Sequence, residues 1–458
     1  MQQVHKLTIR EKICFGLGDS SANIFLGMTM MFLPYFYTDV LGISAGAMGL
    51  LFVVARLVDA VYDPIIGSVA DRTPTRHGHY RPWLLWLAIP YGLSCLLVFI
   101  APDFSPSGKL VYAYATYLFL ILMYASTVVP YVALLASLTS DPQERLSANA
   151  WRFPLAKMSF LICSLTVPLF VAWYGKENES EAYRVAMSMI ALLATLFMLS
   201  CFFGTKERVT PIRQANTTSF MKQAKAALSA RPVVIFYIFK ITSSIAFVIK
   251  GSVTIYFVKY FLNRGDSFVS GLLSATAIAG IIAPMIALQL IKRKKLSALG
   301  SLKFAQMGGG LAALALFFVS PDQLWLAVGL LVVSVLFAEM GSIMAWALPS
   351  DCADYCERKT GIKMSGFIAA GTLFSMKVGL ALAGGLVGLV LSLSGYHAGA
   401  AVTPQTMSAI IFLIAGVPAI FHGISLLLIM FFSLEDKSAA SRTLPSAQPS
   451  VAHQIKEP

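Results

Sequence analysis

Apolar runs broken by short polar stretches fill the chain. Twelve can be counted, over 13–38, 45–70, 83–101, 109–138, 152–174, 183–204, 233–262, 267–291, 300–319, 323–349, 364–394 and 406–433. Each is near or above the about 20 residues that a helix needs to cross a hydrocarbon core about 30 Å thick. The pattern predicts an all-α membrane protein of twelve transmembrane helices, the longer runs tilted or emerging into loops. The longest internal polar stretch, Thr205 to Arg231, divides the runs six and six. The expected organisation is an N-terminal segment over 1–12, a first half over 13–204, a central loop over 205–231, a second half over 232–433 and a tail over 434–458. The tail is rich in Ser, Ala and Pro and is expected to be disordered. Two six-helix halves suggest repeats about an axis along the membrane normal, with a substrate site between them near the midplane.

Composition agrees with this plan. The 458 residues are 57% hydrophobic and only 12% charged, against about 25% charged in soluble domains. The formal charge of +13 would suggest nucleic acid in a soluble protein. Here the basic residues gather in alternate loops: Arg72, Arg76 and Arg81; Lys206, Arg208, Arg213, Lys222, Lys225 and Arg231; Lys292 to Lys295; Arg358, Lys359 and Lys363. The loops over 102–108, 320–323 and 395–405 carry none. This bias excludes a nucleic-acid partner and puts both termini in the cytoplasm. The first run is too long for a signal peptide and reads as a retained span, which suits a bacterial inner membrane. The six cysteines lack paired ligand spacing, and no His or further Cys near Cys352 and Cys356 completes a metal site.

One polar stripe lies deep inside an apolar run. Arg56, Asp59 and Asp63 are spaced three and four apart in the second run, so a helix puts them on one face. Asp59 falls roughly 20 Å along that helix, where an unpaired ionised group costs at least about 2.5–3.5 kcal/mol. Pro64 removes an amide and frees the carbonyl of Ala60 beside the acids. Two readings fit: an ion pair that locks helices, or a cation or proton site in a carrier.

Gly67-Ser-Val-Ala-Asp71-Arg72 resembles the loop signature of the major facilitator superfamily. Gly16-Leu-Gly18-Asp19 with Asn23 and Phe36-Tyr37-Thr38-Asp39 resembles the first helix of the glycoside–pentoside–hexuronide:cation symporters. Arg56-x-x-Asp59-Ala-x-x-Asp63-Pro64 with His79-Tyr80-Arg81-Pro82-Trp83 resembles their second helix and following loop. Asp351-Cys-Ala-Asp354-Tyr-Cys-Glu357 ahead of Lys377 resembles their C-terminal signature. The resemblance implies a coupling-cation site for H⁺ or Na⁺ at Asp59 and Asp63, Lys377 as countercharge, and a substrate-binding set of Asp19, Asn23, Tyr124, Arg152 and Lys377, with Arg56 and Lys250 in the charge network. Each role has an alternative: snorkelling for Lys377, a membrane-surface anchor for Arg152 and aromatic packing for Tyr124. Asp351, Asp354 and Glu357 resemble gate elements, with a solvated loop as the alternative.

The chain departs from the melibiose branch of that family. Asn23 and Val128 stand where that branch has sugar-binding carboxylates, Val132 where it has Trp and Ala125 where it has Thr. Two negative groups are lost while Arg152 and Lys377 remain, and Lys250 adds a cation within the seventh run. Surplus buried positive charge favours an acidic sugar, such as a uronide or sulfonated sugar, over a neutral glycoside. Asp19, one turn before Asn23, is the residue that would offset it. Loss of the Thr oxygen at Ala125 favours H⁺ over Na⁺. No His-Glu-x-x-His, P-loop or nucleophile-elbow motif stands in a plausible context, so an enzyme is disfavoured. The expectation is cation-coupled sugar transport by alternating access, with no cofactor beyond the coupling cation, and a non-transporting sensor as the alternative of another class.

Overall fold

A computed structural model describes residues 6–434 apart from 176–177, 210–218, 294, 363, 398, 400 and 401. The expected tail from residue 435 onward, the first five residues, Arg213, Lys294 and Lys363 lie outside the described residues. Twelve long helical segments follow one another: α1 over 9–40, α2 Ala45–Asp71, α3 Arg81–Leu97, α4 Pro106–Leu138, α5 Pro142–Tyr174 and α6 Glu179–Gly204, then α7 Arg231–Phe261, α8 Asp266–Lys292, α9 Ala298–Phe317, α10 Leu324–Thr360, α11 Ser365–Leu393 and α12 Pro404–Met430. Among the described residues, nine of them are long and apolar enough to cross a membrane. The other three are marked by their chemistry. α1 carries Arg10, Glu11, Lys12 and Asp19, α3 has 17 residues, and α9 is diluted by Lys303, Gln306 and Gly308 to Gly310.

Side-chain caps start most of these helices. Thr8 Oγ1 accepts from Glu11 N at 3.2 Å while the Glu11 carboxylate accepts from Thr8 N at 3.0 Å, a reciprocal pair that satisfies two amides. Asp141 accepts from Gln143 N at 2.8 Å and opens α5 ten residues before its apolar run begins. The hydropathy pattern marks only the embedded part, so Arg152 lies well inside α5 and not at its start. α10 likewise runs past the expected end at 349, through Pro349 to Thr360, with a break at Gly341. The central loop also holds a helix, Phe220–Ser229, packed on the second half.

The halves share one packing scheme. α1 packs on α5 and α6, α3 on α4 and α6, and α2 on α4. α7 packs on α11 and α12, α9 on α10 and α12, and α8 on α10. The second set is the first shifted by six helices, as duplication requires. The turn after α1 repeats after α7 bond for bond. Leu41 N donates to Phe36 O at 2.8 Å and Leu262 N to Phe257 O at 2.9 Å, while Ile43 N and Arg264 N donate to Tyr37 O and Val258 O. Both turns begin in a π-helical stretch, Phe36–Val40 and Phe257–Phe261. Each needs a left-handed residue, supplied by Gly42 (φ 81°) and Asn263 (φ 52°).

The halves meet chiefly at the helix ends near 40–45, 174–179, 261–266 and 393–404. Thr38 and Tyr256 hydroxyls lie 2.7 Å apart, Lys259 reaches Glu179 at 2.8 Å, and Asp39 accepts from Tyr396 at 2.5 Å and from Tyr260. α2 and α11 touch backbone to backbone, because a Cβ on Gly388 would fall 2.5 Å from both Gly49 Cα and Ala45 O. On the opposite, basic face the ion pairs stay within the first half, as Lys12–Glu144 at 2.8 Å and Arg208–Glu11 at 2.5 Å do. Among the described residues, no side-chain hydrogen bond or ion pair joins the halves between mid-depth and that face. The side-chain bonds between the halves among the described residues are thus those at mid-depth and on the non-basic face.

Glu207 secures that face of the first half by accepting from the amides of His79, Tyr80 and Arg81 at 2.9, 2.8 and 2.8 Å. Gly78, at φ 109°, leaves room for its carboxylate. Charge-assisted bonds of this kind are worth about 1.5–3 kcal/mol. Glu207→Ala should lower the melting temperature of the purified protein by several degrees, and an unchanged melt would remove this clamp from the account.

Candidate functional site

The α2 stripe meets a lysine from the other half. Asp59 is fully buried, and its Oδ2 accepts from Arg56 Nη1 at 3.2 Å. Lys377 of α11 reaches the same oxygen at 3.0 Å and donates to Asp63 Oδ2. Two cations thus meet two carboxylates, Arg56 from the same helix and Lys377 from across the interface between halves. The second oxygen of each acid, Asp59 Oδ1 and Asp63 Oδ1, is buried without a hydrogen-bond partner. Buried acceptors are ordinarily satisfied, so two orphaned anionic oxygens four residues apart mark a place that suits a proton or a hard cation. Among the described residues, no group of three His, Cys, Asp or Glu is otherwise placed to hold a metal ion.

The other expected residues of the first half lie beside this stripe. Arg152 Nε sits 3.4 Å from Asp19 Oδ2, within ion-pair reach, though that N–H makes no hydrogen bond. Asn23 donates its amide to the Asp19 carbonyl at 2.8 Å, one turn back on its own helix. Tyr124 stacks on Phe25 with centroids 3.9 Å apart. Asp19 therefore offsets Arg152, and the surplus positive charge expected there is absent. Next to Ala125, the neighbouring Ser126 hydroxyl bonds Tyr62 at 2.8 Å.

Lys250 does not join this group. It lies in the second half, 5% exposed, with its Nζ 2.7 Å from Ser334 Oγ and 3.0 Å from His422 Nε2. Beside it Lys157 of α5 donates to Glu339 of α10 at 2.7 Å, a further ionic link between halves. Lys157, Lys250 and Glu339 line one cavity between the halves, together with Thr254 and Thr276. The sequence reading passed over Lys157, Glu339, Ser334 and His422. Glu339 within the apolar tenth run and His422 within the twelfth carried the signal, since a titratable residue at membrane depth is itself a functional flag. Asp351, Asp354 and Glu357 lie at the basic-face end of α10, Asp354 and Glu357 exposed and Asp351 half-buried, away from both clusters.

Comparison with known proteins agrees with this architecture. Residues 14–436 match the family described as MFS/sugar transport protein. The chain is 36% identical over 443 residues to the putative glycoside/cation symporter YagG of Escherichia coli (strain K12), covering 96% of this chain and 95% of that one. It is 32% identical over 444 residues to the isoprimeverose transporter of Lactiplantibacillus pentosus, covering 94% and 90%. It is 29% identical over 438 residues to the glucuronide carrier protein homolog of Escherichia coli (strain K12), covering 94% of each. A membrane-crossing helical bundle in two matched halves, a buried ionic cluster between them and full-length relatives that are transporters have one meaning together. The chain belongs to the MFS/sugar transport family, in its glycoside–pentoside–hexuronide:cation symporter group, as a multi-pass membrane carrier of sugar derivatives and not an enzyme.

Proposed function

We propose that the protein moves an acidic sugar together with a cation, H⁺ in preference to Na⁺, through Asp59 and Asp63. The observation that carries this is the pair of buried, unpartnered carboxylate oxygens facing Lys377 across the interface of the halves. A proton or Na⁺ arriving there competes with Lys377 for the two acids. Once they are neutralised, the α2–α11 clasp at mid-depth loosens and the halves rock about their contact. Ala125 offers no side-chain oxygen beside the acids, which favours the proton. Asp19, Asn23, Arg152 and Tyr124 form the sugar-facing wall of the first half, and Arg56 holds Asp59 in place.

The basic face is read as cytoplasmic, which puts both termini inside a bacterial inner membrane. Asp351, Asp354 and Glu357, at that face, are assigned to its closure when the opposite face opens. Linkage requires sugar to tighten the cation as much as the cation tightens sugar. The glucuronide carrier relative supports an acidic cargo. The isoprimeverose relative and the neutral Asp19–Arg152 pair favour a neutral glycoside as the second reading. The test is uptake of matched acidic and neutral sugars by membrane vesicles under imposed H⁺ or Na⁺ gradients. Gradient-driven uptake of a glucuronide, competed weakly by neutral glycosides, is expected. Uptake of neutral glycosides alone would overturn the acidic reading, and uptake indifferent to both gradients would overturn coupling.

A further inference from the structure

We infer that the anionic group of the substrate docks on Lys250, in a subsite built by the second half, and that Glu339 sets the affinity of that subsite. This deepens the acidic-sugar reading and rests on it.

At membrane depth Arg56 lies 3.2 Å from Asp59, Arg152 3.4 Å from Asp19, Lys157 2.7 Å from Glu339 and Lys377 3.0 Å from Asp59. Lys250 is as buried as any of them, yet among the described residues no carboxylate lies within 4 Å of it. Lys240, the other buried lysine of α7, sits over the Trp346 ring at 4.1 Å, a cation–π contact away from the cavity wall. Among the described residues Lys250 makes neither kind of close contact, and Glu339 acts on it only from across the cavity.

Its surroundings hold it in position without neutralising it. Gln306 Oε1 lies 2.7 Å from His422 Nδ1, so the ring proton sits on Nδ1 and the Nε2 lone pair faces Lys250. Ser334 donates to Gly309 O at 2.9 Å, which leaves its own lone pairs for the ammonium. Gly309 and Gly310 give His422 its place, since a Cβ on them would stand 3.5 and 3.2 Å from it. Two neutral acceptors thus take two of the three ammonium protons and fix the direction of the third. Lys250 also lines the cavity that Lys157 and Glu339 line.

The charges on the cavity wall are two ammoniums and one carboxylate, a surplus of one that a monoanion completes. A uronide carboxylate or a sugar sulfonate has that charge and accepts charge-assisted bonds. Thr254 and Thr276 add hydroxyls suited to a sugar. Arg152, neutralised by Asp19, has less to offer an anion.

The test is equilibrium binding to the purified full-length carrier in detergent, which needs no gradient and is independent of coupling. Matched probes are phenyl β-D-glucuronide against phenyl β-D-glucoside, and 6-deoxy-6-sulfoglucose against glucose. Wild type should prefer at least one acid over its neutral partner by about tenfold or more. Lys250→Met should abolish most of that preference, and Lys250→Arg should keep part of it. Glu339→Gln should tighten the acid several-fold, a gain that misfolding cannot imitate, so it decides the matter alone if Lys250→Met does not fold. Acid preference unchanged in both variants would overturn the Lys250 subsite and leave the acidic-sugar reading standing. A wild type that prefers neither acid, binding of neither included, would overturn both.

Discussion

Asp59→Asn should abolish gradient-driven accumulation, by at least about tenfold, while exchange of labelled for unlabelled sugar across the membrane persists. Asparagine keeps the shape and one oxygen acceptor but cannot be charged or take up a proton. Asp59 has no solvent contact, and its Oδ2 serves Arg56 at 3.2 Å and Lys377 at 3.0 Å together. Removing its charge leaves two buried cations to share Asp63, and breaking a buried pair from one side typically costs about 3–5 kcal/mol. Some loss of thermal stability should accompany the loss of coupling. Asp63→Asn should do less, because the Asp63 side chain is 30% exposed and Lys377 retains Asp59. Exchange separates the two explanations of a dead variant, since it needs sugar binding and rocking of the halves but no net cation movement. Wild-type accumulation by Asp59→Asn would remove this residue from the coupling mechanism.

Gly388→Val is expected to cost more than nine-tenths of transport and to open the face that is closed here. A Cβ on Gly388 falls 2.5 Å from Gly49 Cα and 2.8 Å from Gly49 N, and one on Gly49 falls 2.9 Å from Gly388 Cα. These neighbours are backbone, which cannot swing aside as a side chain can. The two helices must separate, and they belong to different halves, so the strain acts on the rocking motion itself. The readout is labelling of Ser164→Cys by a membrane-impermeant thiol reagent from the non-basic face. Ser164 is buried in the α5–α8 contact, 3.5 Å from Ser274, where the same opening would expose it. Labelling should speed up several-fold in Gly388→Val. Gly271→Ala is the control, because no atom lies within 4 Å of its added methyl, and it should behave as wild type. Unchanged labelling in Gly388→Val would mean that the close approach of α2 and α11 does not hold this face shut.

The twelve helices and the acid stripe of α2 were legible because both are local. Apolar length gives a span, and spacing of three and four gives a face. Lys377 was legible through the family resemblance and its place inside the eleventh run, although its contact with Asp59 spans both halves of the chain. Depth does not reveal azimuth, however. That Lys250 turns to His422 and Ser334 of its own half, and not to the α2 acids, depends on how α7 packs against α12, which no run of residues records. Boundaries failed where helices leave the apolar layer: the polar turns from Pro142 and the stretch to Thr360 are helical through capping and backbone continuity, and hydropathy does not register them. Asp19 was named as the residue able to offset Arg152, and it does lie within ion-pair distance.

The matched turns after α1 and α7 carry a consequence for how the two halves join. In that register Tyr35 corresponds to Tyr256, and the two rings meet edge to face 5.7 Å apart. Asp39 corresponds to Tyr260, and these two bond to each other. Two identical subunits about a two-fold axis present the same residue to each other at such a place, as the tyrosine pair still does. A carboxylate facing a phenol there is open only to halves free to differ. The Asp39–Tyr260 bond is therefore one that two identical subunits about that axis have no means to make, and one that a single chain with unequal halves can make.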